Sequence, residues 1–289
     1  MTSSGRLGIA TAPLARRSAP DRRSAAALRW ARLALVAAVW TSAAIFGLYI
    51  VAFYAGAVSD GSLERWNKSL PHLYEPGRAL ATTGIGLHFV AGAVLLAFGP
   101  IQLIRTVRER LPALHRWTGR IYVLSALMAG LGGLTFIALK GTVGGAVMDV
   151  GFGLYGGLMV LAAIETVRHA RHRRFDKHRA WAIRLFALTI GSWLYRMDYG
   201  FWWLITHGAG HTRSFDGPFD IAMAFFFYIP NLIVAEIFVR APHCFGRPRT
   251  QLIAALTLGG AAAFLTLSTY YLTKFQWGPP ILAPLFGSV

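Results

Sequence analysis

Seven uninterrupted apolar runs divide this chain at near-equal intervals, and no other feature restricts its fold as strongly. They cover residues 33–54, 80–104, 118–139, 146–167, 181–205, 219–239 and 252–272. A helix that crosses a bilayer needs about 20 apolar residues, and each run reaches that length. The runs are continuous and do not alternate. Helices are therefore expected over barrel strands, because a helix satisfies its own backbone hydrogen bonds in lipid. Only 14% of the 289 residues are charged, against about a quarter in soluble domains. The fold class expected is an all-α membrane protein with seven transmembrane helices, of which helices 2–5 form a four-helix core.

The placement of charge orients the runs. Of the 29 basic residues, 25 are arginine. If the N-terminus is cytoplasmic, twenty-two basic residues fall on the cytoplasmic side, before helix 1 and in residues 105–120, 168–184 and 240–249. Six fall outside (Arg65, Lys68, Arg78, Lys140, Arg213 and Lys274), and Arg196 stays inside a run. That asymmetry is the positive-inside pattern. It predicts an inner N-terminus, an outer C-terminus and anionic inner-leaflet lipid as the partner of the basic turns. The net charge of +17 thus has a topological origin. No nucleic-acid partner is expected, since no arginine-aromatic module accompanies the charge.

Residues 1–29 are rich in Ser, Ala, Pro and Arg and read as a disordered basic cytoplasmic tail. Residues 30–275 form the helical membrane domain, with 80–206 as its core, and residues 276–289 form a short outer tail. Helix 1 reads as a retained anchor, although Ala55-Gly56-Ala57 has the small-x-small form of a cleavage site. Its apolar run is longer than the 7–15 residues of a signal sequence. The aromatic outer loop, with Trp66 and Tyr74, suits the bilayer interface. The single cysteine, Cys244, makes no intrachain disulfide and reads as a passive thiol. A weak internal echo, Thr106-Val107-Arg108 before His115-Arg116-Trp117 and Thr166-Val167-Arg168 before His178-Arg179-Ala180-Trp181, suggests that helices 2–3 and 4–5 are related hairpins.

Polar side chains inside apolar spans face a partner or a cavity. His88, Gln102, Arg196 and Asp198 are assigned to an outer polar site for a quinone or a proton. His88 and Gln102 are 14 residues apart, close to four helical turns, and so share one helix face. Arg196 and Asp198 are two positions apart, about 200° around a helix, and so do not pair side by side. Asp149 and Asp220 are the candidate partners of Arg196. The same residues also suit an interhelix clamp. At the inner ends, His115 and His178 enter at one depth from helices 3 and 5. Two imidazoles so placed are a pair of axial ligands for haem iron, with Arg116, Arg120, Arg179 and Arg184 available to its propionates. Haem b is accordingly the candidate cofactor, with His115 and His178 as the metal ligands. His207 and His211 have metal-binding spacing only if helical, and Gly208 and Gly210 argue against a helix there. No G-x-x-x-x-G-K-S/T, H-E-x-x-H or G-x-S-x-G motif is present, so nucleotide hydrolysis, zincin and hydrolase-elbow chemistry are not indicated.

Between residues 80 and 200 the chain carries Gly99-Pro100-Ile101-Gln102, then His115-Arg116-Trp117-Thr118-Gly119-Arg120-Ile121-Tyr122, then His178-Arg179-Ala180-Trp181. This combination resembles a family of bacterial predicted membrane proteins, a domain of unknown function. The resemblance implies a multi-pass protein of the bacterial cytoplasmic membrane and no particular reaction. A more distant likeness is to transmembrane b-type cytochromes, in which a four-helix core holds haems between histidines of alternate helices. That likeness implies one ligand pair, His115 and His178, and supplies no histidine partner for His88. The expectation is a haem- or quinone-linked redox module. The rival is a non-enzymatic transporter, accessory subunit or structural membrane protein.

Overall fold

A computed structural model of the chain describes residues 22–240 and 248–286. Residues 1–21 of the expected tail and Cys244 lie outside them. All regular elements among the described residues are helical. Helix α1 (Arg22–Tyr49) passes into a π-helical stretch, Ile50–Ala55, and the short α2 (Gly56–Ser59). A 3₁₀ turn (Leu63–Lys68) leads to α3 (Ala79–Leu103), α4 (Arg105–Arg110), α5 (Pro112–Lys140), α6 (Gly145–Arg171), α7 (Phe175–Thr189) and α8 (Gly191–Thr206). Then come α9 (Pro218–Phe226), α10 (Ile229–Arg240), α11 (Pro248–Leu272), a second π-helical stretch (Thr273–Trp277) and α12 (Gly278–Phe286). Residues 22–29, expected in the tail, belong to α1, and most of the expected outer tail is helical.

Local chemistry sets the boundaries. Pro112 occupies the first turn of α5, where its missing N–H costs nothing. Gly141 ends that helix at φ 77°, a conformation that side chains with a Cβ avoid. Between α7 and α8 the helix breaks at Ile190, just ahead of Gly191-Ser192, the kind of pair at which long helices kink.

Six stretches among the described residues are long and apolar enough to cross a membrane: Arg23–Ser59, Ala79–Leu103, Pro112–Lys140, Gly145–Arg171, Pro218–Arg240 and Gln251–Ala283. The fifth run of the sequence is absent from this set because the break at Ile190 divides it into two shorter helices. Large apolar residues such as Leu80, Val90, Leu124, Val150, Ile253 and Leu256 are exposed, as lipid-facing positions should be.

Packing joins α3 to α5, α5 to α6 and α6 to α7, while α1 packs on α11 and α11 on α8. The two halves of the bent pair therefore serve different neighbours. Leu185 and Leu188 of α7 enter a core with Tyr155, Met159 and Phe227. Trp193 and Met197 of α8 enter another with Phe46, Leu265 and Trp277. The α3–α5 contact is backbone to backbone: a Cβ on Gly84 would lie 2.9 Å from the Gly132 carbonyl oxygen. Trp66, placed at the interface from sequence, is instead interior, and so is Trp277 of the expected outer tail. Trp66 is 3% exposed and donates from Nε1 to the Tyr54 carbonyl at 3.1 Å. Trp277 is 1% exposed. The loop between α2 and α3 folds onto the helices.

Candidate functional site

The start of α5, the end of α6 and the start of α7 gather one set of polar groups. His178, in the first turn of α7, has Nδ1 2.9 Å from the Thr166 carbonyl oxygen of α6. A carbonyl only accepts, so Nδ1 carries the proton and Nε2 is left as the acceptor or ligand atom. His115, in the first turn of α5, has a buried Nδ1 with no hydrogen-bond partner among the described residues. Arg108 and His178 lie within its electrostatic reach. The four arginines assigned beside this pair are not equivalent. Arg184 donates from Nε and Nη2 to Glu236 of α10 at 2.9 and 2.7 Å and covers the Trp181 ring at 4.9 Å. Arg120 covers Trp117 at 5.0 Å, and Arg116 and Arg179 are exposed. Gln102 also belongs here, since its Nε2 donates to Thr118 Oγ1 at 2.5 Å and Thr118 in turn donates to the Leu114 carbonyl. The helix face shared by His88 and Gln102 thus reaches two different sites.

The half of the bundle that carries the α2–α3 and α8–α9 loops holds a cavity of about 1280 Å³. Its wall combines Tyr49, His88, Tyr155, Tyr195, Arg196 and Trp277, contributed by α1, α3, α6, α8 and the second π-helical stretch. Both π-helical stretches border it, and such distortions recur at functional sites. His88 is fixed by Nδ1, 2.8 Å from the Ala129 carbonyl oxygen of α5. Gly133 gives the ring its space, because a Cβ there would sit 3.3 Å from His88 Nδ1.

Arg196 sets the character of this cavity. It lies about ten residues, so roughly 15 Å, from the outer end of α8. Its Nη1 donates to the Ser192 carbonyl at 2.8 Å, and its guanidinium stacks 5.0 Å over Phe46. Among the described residues no carboxylate pairs with it. Asp149 instead accepts from the Thr142 backbone N–H at 2.6 Å. Asp220, wholly buried, accepts from Tyr199 Oη at 2.6 Å, His211 Nδ1 at 2.7 Å, Thr212 N at 3.0 Å and Gly217 N at 3.1 Å. Four donors saturate it, and it ties the α8–α9 turn together. The proposal from sequence that one of these aspartates serves Arg196 is therefore corrected. Asp198 neither pairs with Arg196 nor lines the cavity, which follows from their angular separation on one helix. The outer set thus reduces to His88 and Arg196.

At the rim, Glu75 is held by Lys140 Nζ at 3.0 Å and Arg78 Nε at 3.1 Å. The hydrogen bond from Lys140, opposed by partial burial and aided by the charges of Lys140, Arg78 and His72, keeps its carboxyl below the usual carboxylate range. Lys140 also donates to the His72 carbonyl. Lys68 and Arg213 border the same opening, so the mouth is cationic. His207 caps α8 in the left-handed region at φ 56°, and His211 is engaged by Asp220. The two histidines share no helix and do not converge on an ion. Among the described residues no three His, Cys, Asp or Glu side chains form a metal-binding group.

Sequence reasoning missed the cavity aromatics Tyr49, Tyr155 and Tyr195 and the Phe46 ring under Arg196, because an aromatic in an apolar run carries no mark of what it faces. Glu236 was detectable, being an isolated acid in the sixth run. A family model described as Predicted membrane protein (DUF2306) matches residues 85–239. That interval contains His88, His115, His178 and Arg196, while Phe46, Tyr49 and Trp277 lie outside it. No curated protein and no solved structure matches the chain.

Proposed function

We propose a function from one premise: this chain belongs to the DUF2306 family of predicted membrane proteins. Its outer cavity binds a small amphipathic molecule with an anionic head group, taken up from the outer face. The observation that carries this is Arg196, a cation deep in an aromatic cavity with no carboxylate partner among the described residues. A half-buried cation set in an apolar wall attracts a counter-charge, and a ligand anion supplies it. The cavity exceeds the ~300–1,000 Å³ of ordinary small-molecule sites, which leaves room for an apolar tail. The cationic mouth draws the anion in. This reading is of the non-enzymatic class, with the protein as a transporter.

The test is equilibrium binding of decanoate to the purified protein in detergent. Wild type is expected to bind it, and Arg196→Gln is expected to bind at least about tenfold more weakly, a change worth ~1.4 kcal/mol. Equal binding by both proteins overturns the proposal.

The topology that goes with this role has seven crossings, an inner N-terminus and basic turns on the anionic leaflet of a bacterial cytoplasmic membrane. The bent α7–α8 pair supplies the additional crossing.

A second reading, haem between His115 and His178, is favoured by the bond from His178 Nδ1 to Thr166, which leaves Nε2 free, and by the unpartnered Nδ1 of His115. The arginine set fits it in part, since Arg184 is engaged by Glu236 and Arg116, Arg120 and Arg179 remain. Haem there would supply one-electron chemistry. Protein purified from haem-replete cells is expected to show a Soret band that His115→Ala and His178→Ala each abolish. A colourless, folded wild type excludes this reading and leaves the anion site standing.

A further inference from the structure

The cavity presents a second polar group that an anion alone leaves unused. His88 reaches it from α3, and its Nδ1 is committed to the Ala129 carbonyl oxygen at 2.8 Å. With the proton held on Nδ1, the neutral ring offers Nε2 only as an acceptor. Arg196 is close enough to act on this ring electrostatically. One bound molecule therefore meets a guanidinium, which only donates, and an imidazole nitrogen, which only accepts. Aromatic side chains border the space around them, among them Tyr49, Phe89, Phe152 and Tyr155. Such walls favour flat rings over flexible chains, because ring faces and edges pack in offset and edge-on arrangements.

We propose that the cavity selects planar aromatic amphiphiles that carry both an acidic oxygen and an un-ionised hydroxyl, the class of hydroxyaryl acids. The acidic oxygen lies on Arg196 and the hydroxyl donates to His88 Nε2. This ligand class rests on the anion-binding role of Arg196 given above. A simple fatty acid satisfies Arg196 but leaves His88 Nε2 without a donor. A site built around a ligand hydroxyl discriminates strongly against analogues that lack it.

The experiment compares four probes on the purified wild-type protein by titration calorimetry in detergent. Two are octyl-substituted hydroxybenzoates with the hydroxyl meta or para to the carboxylate; the others are the methyl ether of each. A methyl ether keeps the ring, the tail and the acid but has no proton to donate. At least one hydroxybenzoate is expected to bind about tenfold or more tightly than its ether, and His88→Phe is expected to erase that difference while still binding both. If each ether matches its parent in wild type and binding still requires Arg196, the hydroxyaryl class is overturned and the anion site survives. If no probe binds and decanoate also fails, the anion site itself falls and the ligand class with it. Because the decisive comparison uses wild type, a misfolded His88→Phe does not spare the proposal.

Discussion

A guanidinium without a carboxylate is costly in a bilayer, and Arg196 and Arg184 differ in just this respect. Replacing an unpaired or poorly paired buried ion by an apolar side chain of similar volume is often neutral or stabilising. Arg196→Met is therefore expected to melt at the same temperature as wild type or higher, measured by thermal unfolding in detergent without ligand, although it forfeits the Ser192 bond and the Phe46 stack. A fall in melting temperature would mark Arg196 as an interhelix clamp. Glu236→Ala runs the other way, because it removes the acceptor of both Arg184 hydrogen bonds, so its melting temperature is expected to drop. At the cavity mouth the relevant variable is pH. Glu75 is held below its ordinary value near 4.5, first by the Lys140 hydrogen bond. A depressed carboxylate contributes stability that is present above its unfolded-state value and is lost as pH falls through the folded one. The melting-temperature gap between wild type and Glu75→Gln is expected to be open at pH 7 and to narrow steadily below about pH 4.5. A gap that stays constant to pH 3 would show that the carboxylate contributes nothing to the loop.

Helix contacts in this bundle are decided by where a glycine has no room for a methyl group. Gly132 faces the Gly84 backbone across the α3–α5 interface, the close small-residue approach common between membrane helices. Gly132→Ala is expected to lower stability by about 1–3 kcal/mol, the usual cost of overpacking. Gly153, on α6, has nothing within 4 Å of its Cβ position. Gly153→Ala is expected to be neutral or to add up to about 1 kcal/mol through helix propensity. Unfolding midpoints of the two variants in one detergent check the contrast, and equal losses would contradict it. These two glycines look alike in the sequence, which shows where its legibility ends. The long helices were readable because apolar length is a one-dimensional property, and so was the failure of Arg196 and Asp198 to pair, a matter of angle along one helix. The split at Ile190 was hidden, since Gly191-Ser192 sits in a run as apolar as its neighbours. The grouping of the outer site was half readable. His88 and Gln102 do share a face, but 14 residues of rise put one at the cavity and the other at the inner end. Nothing local announces that Phe46 stacks under Arg196 or that Trp277 lines the cavity with it, because those contacts join segments far apart in the chain.

Taken as a whole molecule, the α7–α8 pair is pinned alongside α9–α10 at both ends. Arg184 of α7 reaches Glu236 near the end of α10, and Tyr199 of α8 reaches Asp220 near the start of α9. The stretch Pro218–Arg240 is itself long and apolar enough to cross a membrane. The proposed seven-crossing topology has this bent pair traverse the same thickness in the opposite direction. The kink then changes which neighbours each half packs against without shortening the path. On the proposed topology the α6–α7 turn and the α8–α9 turn lie on opposite faces, with the arginine-rich turn inside. In a Cys244→Ser background, Ser214→Cys is expected to react with a membrane-impermeant maleimide on intact cells, and Arg174→Cys only after permeabilisation. Labelling of both positions from one side would make the pair re-entrant. The arginine-rich turn would then share a face with the cavity mouth, and the opening assigned to anion uptake would have to be placed on the other side.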